Sequence, residues 1–263
     1  MNDKKNLISL NNDAELINKN LIGIYRYFDI QKTQIAGANY YLLNTGYNYF
    51  LLNMIVLPNS VSSEAINEME QVFKSQNLPF AWWVEEKNLS KHMINHFESR
   101  DYNYIDDVSG MIFELNSYQE KSFDIGDIVI KPINSLEEFK KWIDVLIICF
   151  GDEEINSLYI NKLSEFLGND NIFIPLAAYD DNKIVATSSI IFADNIAGFC
   201  NDATLPEYRN RRIASSLYHA RFKILKKMQV PKVVIHTSSM TTSLAQKLGF
   251  QKVVNYKIYS QTV

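Results

Sequence analysis

Apolar and polar positions alternate along the chain with two periods, one near two residues and one near 3.6, and they delimit most of its elements. Ile128–Ile133 predicts a strand that ends near Pro132. Ser135-Leu-Glu-Glu138 is a capping box opening a helix that runs to about Phe150. A second helix is expected from Glu153 to Leu167, stopped by Gly168. Three apolar runs follow, Ile172–Tyr179, Lys183–Phe192 and Ile196–Thr204, joined by short Asp/Asn turns that read as hairpins. Ile213, Leu217, Ala220, Ile224 and Met228 keep helical spacing within Arg211–Met228, and Pro231 ends that segment. Lys232–Thr237 predicts a strand, Thr241–Leu248 a short helix closed by Gly249, and Gln251–Ser260 a last strand. Residues 124–260 thus read β-α-α-β-β-β-α-β-α-β, a mixed α/β (α+β) class with one central sheet. Upstream, Tyr47–Leu57, Phe80–Glu86 and Ser109–Leu115 predict strands. Helices are expected between them at Ser63–Ser75, with Ser63 as cap, and Leu89–Ser99. That β-α-β-α-β order repeats the order of Ile196–Ser260. Two domains are expected, 1–120 and 124–263, with Tyr118–Gly126 as the linker.

Composition narrows the class. The chain has 263 residues, 47% of them hydrophobic, and a net charge of −4, which argues for a globular protein and against disorder. No apolar run reaches about 18 residues, so no membrane span is expected. The first residues lack the apolar stretch of a signal peptide, which makes a cytoplasmic protein the expectation. Two cysteines, Cys149 and Cys200, are too few for a disulfide framework or a Cys-based metal site. Residues 1–200 carry 15 Lys+Arg against 28 Asp+Glu, whereas residues 201–263 carry 11 against only Asp202 and Glu207. A basic segment inside an acidic chain suits an anionic partner, or is a solvated helix face. Nucleic acid is disfavoured, because no aromatic residues interleave with the bases and the whole chain is acidic.

The chemistry concentrates between Ala203 and Ser215, where a strand ends, a tight connector comes next and a helix begins. The first N–H groups of a helix have no partner within it, and the helix dipole adds partial positive charge there. A pyrophosphate is the natural occupant. Arg209, Arg211 and Arg212 raise the local potential, and Ser215 offers a hydroxyl. The plain alternative is an ordinary helix start with basic neighbours.

Arg209-Asn-Arg-Arg-Ile-Ala214 resembles the Arg/Gln-x-x-Gly-x-Gly/Ala signature of the GCN5-related N-acetyltransferases, the GNAT superfamily. Thr204-Leu-Pro-Glu-Tyr-Arg209 before it and Leu248-Gly249-Phe250 after the next helix are similar to the same family. The resemblance implies the GNAT fold, with a degenerate half-GNAT module at the N-terminus, and acetyl-CoA (coenzyme A) as cofactor. It implies pantetheine along the strand ending Asp202-Ala203-Thr204 and diphosphate on the amides of Asn210, Arg211, Arg212, Ile213, Ala214 and Ser215, with Arg209 and Ser238 nearby. Two departures stand out. The family glycine is Arg212, whose Cβ narrows the permitted φ/ψ and crowds the phosphates unless the position takes a helical φ, which would let Arg212 turn outward towards phosphate or solvent. The family's tyrosine, the general acid, is Ala245, with Ser238 in place of an asparagine.

Acyl transfer to an amine needs a neutral amine, a donor for the developing oxyanion and a route for the departing thiolate. A backbone N–H at Thr204 is the implied oxyanion donor. Asp202, the only acidic residue on the cofactor strand, is the candidate base; alternatively it caps the turn or pairs with an arginine. Cys200, on Asp202's face by period two, and His236 on the next strand are weaker candidates, each read as core. Tyr256 and Tyr259 are possible substitutes for the missing tyrosine, although alternating aromatics in a strand usually pack. Trp82 and Trp83 face opposite ways, and Glu85 and Glu86 are within reach of a cationic substrate. The expected function is acetyl-CoA-dependent N-acetyl transfer, by direct attack, to a primary amine of a small molecule or peptide, by a monomer or homodimer. The alternatives are a non-catalytic acyl-CoA-binding or regulatory protein, and a tandem-GNAT aminoacyl transferase.

Overall fold

The computed structural model describes residues 2–25, 27, 40–151, 158 and 162–261. The elements are α1 (Asn2–Tyr25), β1 (Tyr41–Leu43), β2 (Met54–Leu57), α2 (Ser63–Lys74), β3 (Ala81–Glu85), α3 (Lys91–Ser99) and β4 (Asn103–Glu114). Then come β5 (Val129–Pro132), α4 (Leu136–Phe150), β6 (Phe173–Asp180), β7 (Lys183–Ala193), β8 (Ile196–Thr204), α5 (Ile213–Lys227), β9 (Lys232–Ser238), α6 (Ser239–Lys247) and β10 (Gln251–Ser260). The chain divides into two compact units, and the divisions fall inside β4, β9, α6 and β10. The first holds residues 1–111, 236–246 and 252–263; the second holds 112–235 and 247–251.

In the first unit the strand order is β1-β2-β3-β10-β4. β2 and β3 run parallel, and β10 returns antiparallel to β3 with Tyr256 opposite Glu85 and Ser260 opposite Ala81. Trp82, Phe73, Phe97 and Met69 fill a core between these strands and the helices α2 and α3. Both helices begin on a serine whose Oγ accepts a backbone N–H: Ser62 from Ala65 and Ser90 from Met93. The cap of α2 is therefore Ser62, not Ser63. Helix α1 presses so closely on the sheet that a Cβ on Gly110 would sit 2.6 Å from Ile17, a contact only glycine permits.

The expected strand Tyr47–Leu57 is shorter, because Asn53 organises its first half into a loop. Buried Asn53 donates from Nδ2 to the carbonyls of Tyr47 and Pro79, both at 2.8 Å, and accepts from the Thr45 N–H at 3.0 Å. A side chain so engaged replaces ladder bonds with local ones, and only Met54–Leu57 remains a strand.

In the second unit the order is β9-β8-β7-β6-β5, with β8 parallel to β9 and the rest antiparallel. The hairpin turns expected at residues 180–182 and 193–195 form, with Asp181, Asp194 and Asn195 at φ 51°, 50° and 63°. Ser135 caps α4, its Oγ accepting from the Glu138 N–H at 3.2 Å, while the Glu138 carboxylate accepts from Ser135 Oγ at 3.4 Å and from Tyr179 Oη at 3.0 Å. Phe113, Phe199, Tyr218, Phe222 and Phe250 pack ring to ring under α5. The apolar stripe of α5 differs from the expected one. Ile213 and Leu217 are buried, but the face continues through Tyr218, Arg221, Phe222 and Leu225, leaving Met228 37% exposed. Tyr118, inside the expected linker, is buried and stacks on His219 and Phe222. The helix expected at Glu153–Leu167 lies mostly outside the described residues; its end is a 3-10 turn, Leu163–Phe166, before Gly168 at φ 81°.

The first unit also buries one carboxylate completely. Glu70 accepts from Lys74 Nζ at 2.6 Å, from His96 Nε2 at 2.9 Å and from Arg100 Nη1. Burial alone would raise its pKa, yet the hydrogen bonds from Lys74 and His96 and the charges of Lys74 and Arg100 prevail and hold it below the usual carboxylate value. A depressed folded-state value means stability that is present above the unfolded value and lost as the pH falls through the folded one. Glu70→Gln is expected to destabilise the protein by about 3 kcal/mol at neutral pH. In urea titrations the variant and the parent should converge as the pH drops below about 4.

Candidate functional site

The site is built where β8 ends and α5 begins. The β8–β9 ladder pairs Ala197 with Val233, Gly198 with Val234 and Phe199 with Ile235, and ends there. On its other side β8 keeps pairing with β7 through Thr204, but with an irregularity. Ser189 opposes Cys200 and Thr187 opposes Ala203, so Ser188 faces two residues, Asn201 and Asp202. That is a β-bulge, and Asn201 adopts φ 60° to form it. Beyond the bulge the Leu205 N–H bonds the Val185 carbonyl at 3.0 Å. Antiparallel pairs alternate between hydrogen-bonded and open, so the adjacent pair Ala186–Thr204 is open and the Thr204 N–H turns away from β7. The Thr204 carbonyl is held by Arg209 Nε at 3.1 Å and by the Cys149 thiol at 3.5 Å.

After Thr204 the chain makes a 3-10 turn, Pro206–Tyr208, and enters α5 through Arg209–Arg212. Asn210 and Arg212 both have φ 62°. Arg212 therefore takes the left-handed conformation, not a helical one, which is the conformation that a signature glycine supplies without strain. Among the described residues, no hydrogen bond engages the N–H groups of Asn210, Arg211, Arg212, Ile213, Ala214 or Ser215; the first to find a carbonyl is Ser216, on Arg212 at 3.0 Å. Alternating left-handed residues fold such amides into a concave nest, and α5 adds its dipole. Whereas α2, α3 and α4 are each capped by a serine hydroxyl, α5 has no side-chain cap. Arg209, Asn210, Arg211 and Arg212 are exposed around the nest, Ala214 and Ser215 are half-buried, and Ile213 anchors it in the core. The Arg211 guanidinium lies 5.1 Å from the Tyr208 ring centroid and that of Arg212 5.8 Å from Phe123.

Asp202 is paired with an arginine. Arg221, fully buried on α5, donates to both carboxylate oxygens, at 2.5 and 3.3 Å. Burial pushes the Asp202 carboxyl up against the opposing pull of Arg221. The same burial, with the Asp202 charge beside it, pushes the Cys200 thiol up to about 12, so Cys200 is a thiol at neutral pH. Arg221 had a sequence signal that the spacing argument passed over: it lies four residues beyond Leu217, on the apolar face.

The remaining candidates lie in the first unit. Ser238 ends β9, where its carbonyl accepts from the Thr242 hydroxyl at 2.9 Å. Ala245 is completely buried in α6. Burial drives His236 down to about 4, leaving it neutral. Tyr256 is buried and donates to Asn18 Oδ1 at 2.5 Å, and Tyr259 stacks on Phe97 at 4.6 Å. Glu85 is engaged by Lys87 and Asn18, and Glu86 by Lys257 and Asn255. Trp82 and Trp83 are both buried. None of the helices is long and apolar enough to cross a membrane, among the described residues.

Residues 139–250 match the model of the Acetyltransferase (GNAT) family. Comparison with curated protein sequences gives no match. Among solved structures, the chain is similar to a GCN5-related N-acetyltransferase from Kribbella flavida, with a TM-score of 0.71 and 11% identity over 94% of both chains. It is also similar to a GCN5-related N-acetyltransferase from Sphaerobacter thermophilus, with a TM-score of 0.63 and 14% identity over 84% of this chain and 75% of that one. A tandem GNAT protein from the clavulanic acid biosynthesis pathway is similar at 0.58 and 10%, over 85% and 79%. At such identities the likeness is one of fold, and it agrees with the element order and with the motif at the head of α5. Residues 139–250 of this chain are a GNAT-family acetyltransferase domain.

Proposed function

We propose that the protein is an acetyl-CoA-dependent N-acetyltransferase acting on a primary amine of a small molecule or peptide. One observation carries the reading: the unpartnered amide run Asn210–Ser215 lies just past a strand whose last residues have left their parallel ladder. The nest fits a diphosphate, because it offers several convergent donors, a helix dipole and exposed arginines, with no carboxylate bonded into it. Acetyl-CoA would supply an activated acyl thioester. The amides of Asn210–Ser215 would hold its diphosphate, with Arg209 and the side chains of Arg211 and Arg212 at the rim. The free edge of β8 at Asp202–Thr204 offers backbone groups to an extended chain, and the Thr204 N–H is a donor for carbonyl oxygen charge in the transition state. The acceptor must arrive as a neutral amine.

The N-terminal segment, residues 1–120, is read as a half-GNAT module without a cofactor site, and residues 124–263 as the catalytic segment. The head of α2 supports this, since Ser62 already caps it. A second reading, a non-catalytic acyl-CoA-binding protein, is favoured by Ala245, which is buried and has no proton to give a thiolate. A thiol with a pKa of about 8.5 leaves without full protonation, so the enzyme reading stands without that tyrosine.

Calorimetry with acetyl-CoA tests the shared part of both readings. Binding is expected, with Ala214→Asp weakening it at least about tenfold by setting a negative charge beside the diphosphate; unchanged affinity in that variant would move the site elsewhere. Free-thiol release across spermidine, tyramine, glucosamine and a lysine-containing peptide separates the two readings: silence on every amine leaves the binding protein. The strained backbone at Arg212 gives an independent measurement. Arg212→Gly is expected to exceed Arg212→Ala in stability by about 1 kcal/mol in denaturant titrations, because only glycine adopts φ 62° freely.

A further inference from the structure

The bulge in β8 is tied down by side chains from both neighbouring elements. From β7, Thr187 Oγ1 donates to the Asn201 carbonyl at 2.9 Å and Ser189 Oγ to the Cys200 carbonyl at 3.2 Å. Asn201 Nδ2 donates back to Ser189 Oγ at 2.9 Å. From α5, Arg221 binds both oxygens of Asp202 and also donates from Nη1 to the Ser189 carbonyl at 3.1 Å. Its guanidinium lies between the rings of Phe199 and Tyr218, with centroids 4.0 and 4.4 Å away, and has no exposed side-chain surface. A fully buried guanidinium is costly unless each neighbour compensates it, and here one side chain bonds β7 and β8 together from a helix. Asn201 at φ 60° is a conformation that persists only where its surroundings over-determine it, and these contacts do so.

The extra residue of a bulge re-aims the strand beyond it. Without it, the pairing of Thr187 with Ala203 and the open pair Ala186–Thr204 would shift by one, and the Thr204 N–H would face β7. Asp202, meanwhile, has both oxygens in use. Taking a proton there would leave Arg221 buried beside a neutral acid.

We propose that Arg221, Thr187 and Ser189 are positioning residues that lock the bulge and so hold the Thr204 N–H towards the reacting carbonyl, with Asp202 acting as the counter-ion of Arg221 and not as the base. This rests on the acyl-transfer reading above. The test compares Thr187→Val, Ser189→Ala, Arg221→Lys and Asp202→Asn in thiol release from acetyl-CoA. The acceptor is the panel amine that turns over, or water if none does. The expected result is a kcat lowered several-fold in Thr187→Val and Ser189→Ala and roughly a hundredfold in Arg221→Lys, comparable with loss of an oxyanion donor. Calorimetric affinity for CoA should stay within about twofold, as expected when only a transition-state interaction is lost. Asp202→Asn should lose rate while its pH–rate profile keeps the parent shape. The proposal is overturned if Asp202→Asn abolishes the rising limb of that profile, or if Thr187→Val and Ser189→Ala keep the parent kcat. Should Arg221→Lys fail to fold, the two hydroxyl variants still decide. If the parent protein binds no CoA, the acyl-transfer reading itself falls before any variant is compared, and the proposal falls with it.

Discussion

A helix cannot satisfy its own first amides, and this chain leaves those of α5 without the usual remedy. The three helices α2, α3 and α4 solve the problem with a serine at the cap. At α5 the cap position is an arginine in a left-handed conformation, and Asn210 two residues earlier shares that conformation. Both distortions point neighbouring N–H groups outward together. The backbone accepts strain of about 1 kcal/mol per non-glycine residue there. Such an arrangement is favourable when an anion completes it, and the proposed diphosphate site rests on that need.

The strand that leads into that helix obeys a complementary constraint. β8 must be bonded on one side, to β7, and released on the other after Phe199. A regular strand in that position would turn the Thr204 N–H towards β7. The bulge at Asn201–Asp202 corrects the register, and the pair Asp202–Arg221 secures it from the helix. Removing one partner of a buried pair of this type costs about 3–5 kcal/mol, so the two residues couple the local stability of the strand to that of α5. The aromatic cluster of Phe113, Phe199, Tyr218, Phe222 and Phe250 supplies the apolar setting in which that pair lies.

Much of this was legible in the residues. Strands β5 to β10, and the helices α4 and α5, are set by apolar periodicity, a serine cap, Asp/Asn turns and two breakers, Pro231 and Gly249. Those signals are local, and each acts through its own φ/ψ preference or hydrogen bond. The features that escaped were decided by partners remote in sequence. Helix α1 shows no plain apolar stripe because it buries asparagines: Asn18 reaches Tyr256 and Glu85, which lie 238 and 67 residues away. The loop before β2 is shaped by one asparagine, Asn53, whose amide bonds to Pro79 across 26 residues. Apolar spacing alone places Ala220 and Met228 on the buried stripe of α5, whereas the folded helix buries Arg221, whose charge is met by Asp202 on β8.

By itself the sequence determined the strands β5 to β10, the helices α4 and α5 and a helix start with free amides after β8, because these rest on short-range pattern and on the unavoidable unpaired amides of a helix start. It also named Asp202 and Thr204 as the end of the relevant strand. Only the tertiary structure decided what those residues do there. The bulge, the direction of the Thr204 N–H and the occupation of Asp202 by Arg221 depend on register between strands and on a side chain arriving from another element. A one-residue slip in pairing reverses every group on a strand, and no local preference encodes it.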